Sequence, residues 1–106
     1  MKRLLQTLAL SLSLTVSAQV VKLEGAKVHQ YKQAGDAKLF LHVFNPKGHK
    51  ESDQRPAIVF FFGGGWNGGT PKQFDPHCRY LASRGMVAIT AEYRVKSRNK
   101  TTPFEC

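Results

Sequence analysis

The sequence predicts an α/β fold organised on a mostly parallel sheet. Three features carry that expectation. Residues 38–44 alternate, with Leu39, Leu41 and Val43 facing one way and Phe40, His42 and Phe44 the other, which is the period of a strand. Ala57 to Phe62 is an unbroken apolar run, Ala-Ile-Val-Phe-Phe-Phe, as expected of a strand buried on both faces under helices. A glycine-rich loop, a helical stripe and a second apolar run follow it in order, giving a strand–loop–helix–strand unit over 57–91, a right-handed parallel crossover.

The chain opens Met1-Lys2-Arg3. An uncharged run from Leu4 to Val16 with six leucines follows, and then Val16-Ser17-Ala18. A basic start, a short apolar stretch and small residues at its end make a secretory signal peptide cut after Ala18. A membrane anchor needs about 20 mostly apolar residues, and Gln6, Thr7, Ser11, Ser13 and Thr15 interrupt the run. The expected organisation is therefore a signal peptide at 1–18 and one domain at 19–106, secreted or periplasmic, with no stable membrane anchor after cleavage.

Within that domain, 28–32 reads as a short strand, Gly35-Asp36 as a turn and 38–44 as its antiparallel partner. Residues 45–55 are polar, contain Pro46 and Gly48, and read as a surface loop. After the 57–62 run comes the loop Gly63 to Gly69. Thr70 then serves as N-cap and Pro71 as the first residue of a helix running to about Arg84. Phe74, Cys78, Leu81 and Ala82 form its apolar stripe. Gly85 stops it, 86–91 is the next buried strand, and 92–106 is basic and loop-like.

Composition narrows the function classes. Of 106 residues, 42% are hydrophobic and 22% charged, which excludes a disordered or collagen-like chain. Sixteen Lys and Arg against seven Asp and Glu give a net charge of +9, and +7 once Lys2 and Arg3 are removed. The bases are scattered except for Arg94, Lys96, Arg98 and Lys100, which in an extended segment would share one face. No nucleic-acid recognition signature accompanies them, so no nucleic-acid partner is expected. His29, His42, His49 and His77 lack metal-ligand spacing and read as surface or half-buried strand histidines, so no metal is expected. Cys78 and Cys106 form no CxxC motif, and buried or unpaired thiols are expected over a mutual disulfide.

The glycine loop carries the chemistry, and two readings compete for it. Gly63-Gly64-Gly65-Trp66-Asn67-Gly68 satisfies G-x-G-x-x-G, and Glu92 lies 24 residues beyond Gly68, the layout of a Rossmann-like dinucleotide-binding fingerprint. Against it, Thr70-Pro71 starts the helix after the motif, and Trp66 is bulky where a backbone must approach phosphate. A secreted chain also has little access to such a cofactor, so none is expected. The second reading is an oxyanion hole. Acyl transfer builds negative charge on a former carbonyl oxygen, and fixed backbone N–H groups stabilise it. A Gly-Gly-Gly turn leaving a central strand can present such donors without side chains in the way.

The stretch 56–94, PAIVFFFGGGWNGGTPKQFDPHCRYLASRGMVAITAEYR, resembles the N-terminal part of secreted carboxylesterases of the α/β-hydrolase superfamily. The acetyl-xylan-esterase-like and hormone-sensitive-lipase-like groups share its order of elements: a strand, His-Gly-Gly-Gly-Trp, a helix with LAxxG and a strand ending in xYR. The resemblance implies a partial α/β-hydrolase fold, in which an N-terminal hairpin precedes the strand–helix–strand unit. It implies that the amides of Gly64 and Gly65 are the oxyanion donors and that Trp66 walls the substrate pocket. Read as a residue, Trp66 is equally a buried anchor of the loop. Phe62 stands where the family has His, so an apolar side chain must support the loop.

Such a hydrolase also needs a nucleophile, a base and an orienting acid, with the Ser in G-x-S-x-G. Ser52, Ser83 and Ser97 follow position 18, and none is so flanked; Ser83 has Leu81 before it and Gly85 after it. Complete hydrolase folds take roughly 200 residues or more. The expectation is thus an N-terminal fragment of a secreted carboxylic-ester hydrolase. It ends before the nucleophile elbow, carries the oxyanion loop and is inactive alone. In the full-length family the partner would be a small-molecule or carbohydrate ester. A small basic secreted binding module, using 94–100 against an acidic polymer, is the non-enzyme alternative.

Overall fold

A computed structural model describes residues 20–106. The signal peptide expected at 1–18 lies outside them. Four strands, β1 (Lys27–Ala34), β2 (Ala37–Phe44), β3 (Ala57–Phe61) and β4 (Val87–Ala91), form one sheet in the order β1-β2-β4-β3. β1 and β2 are the expected hairpin, turning at Gly35 with φ +60°. β1 runs longer than 28–32, because a register shift at Tyr31 lets pairing continue to Ala34. β2 pairs antiparallel with β4, and β3 pairs parallel with β4. The sheet is therefore mixed, with β4 joining the hairpin to the crossover unit.

The crossover does not contain the single helix that the sequence predicts. Thr70 does cap its start, accepting from the Lys72 amide at 3.2 Å, but Pro71–Phe74 is a 3-10 turn. The α-helix, α1, covers Asp75–Ser83, with Pro76 in its first turn. Proline lacks the N–H needed to continue a preceding helix and favours the start of a new one, so Pro76 divides the element. Gly85 ends α1 as expected. Its φ is +93°, its amide donates to Ala82 O at 3.1 Å, and the Met86 amide donates to Leu81 O at 3.1 Å. These two bonds make a Schellman close. After β4, Lys96–Asn99 forms one helical turn, α2. Arg94, Lys96, Arg98 and Lys100 therefore do not share the extended face that their alternation suggests.

The core lies between one sheet face and α1. Cross-strand register puts Phe44, Ala88 and Ile58 in one row and His42, Thr90 and Phe60 in the next. Leu23, Phe44, Cys78 and Ala88 are buried together, with Phe74, Leu81 and Ala82 packed against them. All four residues of the expected stripe thus face inward. Phe60 stacks on Phe74 at 4.7 Å between centroids, an arrangement that adds about 0.5–1.5 kcal/mol beyond its burial. Arg79 ties α1 down on its rim, bonding Asp75 at 3.0 Å and lying over the Phe44 ring.

The opposite sheet face corrects the expectation for the 57–62 run. Val59 is 45% and Phe61 63% exposed, while Phe62 is buried. β3 has a neighbour on one side only, and no helix among the described residues covers the face on which Ala57, Val59 and Phe61 lie. The run has the composition of a two-face strand and, in this chain, one covered face. No described helix is long and apolar enough to cross a membrane.

Both cysteines are free, Cys78 buried and Cys106 exposed. Burial first, and the Asp75 carboxylate second, push the Cys78 thiol up to about 11. It is therefore protonated and shielded at pH 8. Titration with a thiol-specific disulfide reagent is expected to detect one reactive thiol in the native chain and two in denaturant. Two fast native thiols would mean that α1 does not pack on the sheet.

Candidate active site

The glycine loop leaves β3 at Phe62, at the carboxyl ends of the parallel pair β3 and β4. Phe62 is 2% exposed and stacks on Tyr93, just past β4, with centroids 4.2 Å apart and planes 17° from parallel. The Tyr93 hydroxyl donates to the Phe62 carbonyl oxygen. Burial first, then negative charge at Cys106, raises Tyr93 above the usual tyrosine range, so the hydroxyl remains a donor at neutral pH. Phe62 thus supports the loop through apolar packing where a histidine is expected from the resemblance.

The loop closes on itself. The Asn67 amide donates to Gly64 O at 3.1 Å. The two residues between, Gly65 and Trp66, have φ of +59° and +60°, the signs of a type I′ turn. Gly64 has φ +146°, and a Cβ there would lie 2.2 Å from Gly68 O. Gly69 has φ +101°, and a Cβ there would lie 2.5 Å from Gly63 O and 2.7 Å from the Phe62 ring. These two positions admit only glycine, because the loop backbone folds onto itself and onto Phe62.

Trp66 is the exception, a bulky residue at positive φ, which costs about 1–3 kcal/mol. Neighbouring elements hold it there. The amides of Lys96 and Ser97, at the start of α2, donate to Trp66 O and Asn67 O, each at 2.9 Å. First-turn amides have no partner within their own helix, and here they find loop carbonyls. On the other side, the Gly63 amide donates to Gln73 Oε1 at 2.7 Å. The Trp66 side chain is 53% exposed, so it does not anchor the loop by burial. Its backbone does.

Phe61, Trp66 and Tyr93 frame a cavity of about 520 Å³ whose floor includes Gly64 and Gly65; Cys106 closes one side. Among the described residues, the Gly64 and Gly65 amides have no backbone or side-chain acceptor. The structure therefore brings Gly64, Gly65 and Trp66 to one concave surface, as expected. The sequence reading gave no role to Gln73, Tyr93 or α2. Only the xYR ending marked Tyr93, and contacts 10 to 31 residues apart leave no local signal.

Glu92, the acid of the dinucleotide reading, is 3% exposed. Its carboxylate accepts from the Phe40 amide at 3.3 Å and lies 3.4 Å from His42 Nε2 and 3.8 Å from Arg98. It is committed to the interior of the sheet and does not face the glycine loop. His42, read as at most half-buried, is fully buried beside it. His77 packs against Phe60 and Phe74, and the Ser83 hydroxyl donates to Tyr80 O in α1. No group of three metal-ligating side chains occurs among the described residues.

A hairpin, a parallel strand–helix–strand unit and a self-closed glycine loop at its carboxyl end define part of an α/β-hydrolase esterase domain. The family model described as the carboxylesterase family matches residues 15–97, and the chain belongs to that family. The Neuroligin-like protein glit-1 of Caenorhabditis elegans is 41% identical over 58 residues, 54% of this chain and 8% of that protein. Native Est2, a thermophilic esterase from the Planctomycetes species Thermogutta terrifontis, is 48% identical with a TM-score of 0.76, over 80% of this chain and 30% of its own. Its propionate-bound form matches with a TM-score of 0.77, over 81% of this chain and 32% of its own. The chain thus spans about a third of that esterase and a smaller part of the glit-1 protein.

The glycine positions differ in what they tolerate. Gly64→Ala is expected to destabilise the chain by about 2 kcal/mol or more, because backbone must move and φ is unfavourable. Gly65→Asn is expected to cost less than about 1 kcal/mol, since its φ suits Asn and its nearest neighbour is the Asn67 side chain at 3.9 Å. Urea unfolding of both variants measures the difference. Equal losses would contradict the loop geometry.

Proposed function

We propose that this chain supplies the oxyanion-binding part of a carboxylic-ester hydrolase, with the Gly64 and Gly65 amides as donors and Trp66 as a pocket wall. The observation that carries the reading is that both amides lack internal acceptors and both residues line the cavity at the end of β3. An ester carbonyl seated there would gain negative charge as it became tetrahedral. Donors already held by the Phe62, Gln73 and α2 contacts would stabilise that charge without reorganising. In this reading the nucleophile, base and acid come from residues outside this sequence, as no serine here has the required glycine flanks.

The related esterase with propionate bound favours short acyl groups. The alcohol side is proposed to be a small molecule or an acylated carbohydrate. The uncharged run behind Met1-Lys2-Arg3 supports secretion or periplasmic export. The exposed Val59 and Phe61 on the free edge strand support the view that further strands and helices complete the sheet, since such a face is otherwise a liability to aggregation.

The test is a graft. Residues 57–91 of this chain replace the matching segment of the Thermogutta terrifontis esterase, and hydrolysis of p-nitrophenyl propionate is followed. A folded chimera is expected to keep kcat within about tenfold of the parent. A folded chimera slowed by about 10³ or more, the loss expected of a missing donor, would overturn the assignment. The 106-residue chain alone is expected to show no turnover above buffer.

A further inference from the structure

The four cations that alternate along the sequence are gathered by the fold into a groove distinct from the glycine-loop cavity. Arg94, Arg98 and Lys100 meet Lys38, from the β1–β2 turn, around a concavity of about 720 Å³. Asp36 is the acid on its rim. Glu92, beneath the groove, lies 3.8 Å from Arg98 but is also held by His42 and the Phe40 amide. Arg94 donates to the Glu105 backbone carbonyl, a neutral partner that leaves its charge uncompensated. Among the described residues, Lys38, Lys96 and Lys100 form no salt bridge.

Two features extend the groove toward the site. Lys100 takes φ +55° at the end of α2, and it also lines a second, smaller concavity beside Lys96 and Asn67. A track of positive charge therefore runs from the hairpin turn, past α2, to the flank of the glycine loop. Asn99 and Thr101 lie between the cations and offer hydrogen bonds to hydroxyl groups. The aromatic residue in the groove, Phe40, is half-buried, so bases would find no stacking platform of the kind that single-stranded nucleic acid uses.

We propose that this groove binds a linear anionic polysaccharide, its repeating carboxylate or sulfate groups pairing with Lys38, Arg98 and Lys100 and its hydroxyls with the neutral side chains between them. Forked guanidinium donors suit such oxyanions, and a spaced row of cations fits a regularly charged chain better than one compact anion. The proposal does not rest on the esterase reading, because binding is measured without turnover.

The test uses the full chain with polygalacturonate and with heparin as probes, which separate carboxylate from sulfate, at several salt concentrations. Single-stranded DNA and neutral dextran serve as comparators. K38Q/K96Q/K100Q removes exposed cations with no salt-bridge partner. K27Q/K47Q/K50Q removes the same charge away from the groove. Tenfold or greater loss of affinity for one of the polysaccharides in the first variant, with less than threefold loss in the second, is expected. The slope of log affinity against log salt should also fall by about 2 in the first variant, at roughly 0.7 per lost contact. Equal losses in both variants would mean that net charge alone binds, and would overturn the groove. Tighter binding of DNA than of either polysaccharide would overturn the ligand class, as would dextran binding unaffected by salt.

Discussion

The stack of Phe62 on Tyr93 fixes the rest of the site. One buried ring covers the end of β3, meets the segment leaving β4 and lies 2.7 Å from where a Gly69 Cβ would stand. Both ends of the glycine loop are therefore referenced to the same side chain. The Tyr93 hydroxyl on the Phe62 carbonyl adds a polar lock to an apolar stack. The loop can then take four consecutive unusual turns without wandering, which is the condition for backbone amides to act as preorganised donors. A histidine at this position would bring a polar ring; phenylalanine achieves the fixation by packing alone.

That clamp works because β4 is shared. It pairs antiparallel with β2 and parallel with β3, so the hairpin, the crossover and the segment after β4 all take their positions from one five-residue strand. α1 covers one side of this arrangement and buries Cys78 completely. The other side presents Val59 and Phe61. The asymmetry places the cavity at the carboxyl ends of β3 and β4, where ligands of open α/β sheets bind.

The parts of the fold governed by short-range rules were legible in the sequence. Alternation located β2, the apolar run located β3, Thr70 and Gly85 bracketed the helical region, and the stripe of Phe74, Cys78, Leu81 and Ala82 pointed to the core. The apolar run also predicted burial on both faces, which is a statement about neighbours that a strand's own residues cannot contain. Pro76 shows a different limit. Its local rule was available, but the stripe carries across it, because a 3-10 turn leading into an α-helix keeps Phe74 and Cys78 on the inner side. The glycine motif identified the loop, while its supports, Gln73, Tyr93 and the first amides of α2, depend on tertiary contacts.

α2 shows how little chain is needed to couple two surfaces. It has four residues, too few to be stable alone, so its conformation is owed to what it touches. Its first two amides bond the loop carbonyls of Trp66 and Asn67, and its end places Lys100 in a left-handed conformation against the basic groove. The Val95 amide meets Asn99 Oδ1 at 3.1 Å, which closes the turn from within. The strain at Trp66 and the geometry at Lys100 are thus carried by the same turn. The alternation of cations at 94, 96, 98 and 100 is the sequence trace of that arrangement. Extended, they would form a featureless charged edge; wound into α2, they divide between a groove and the flank of the site, and the backbone that divides them also holds the loop.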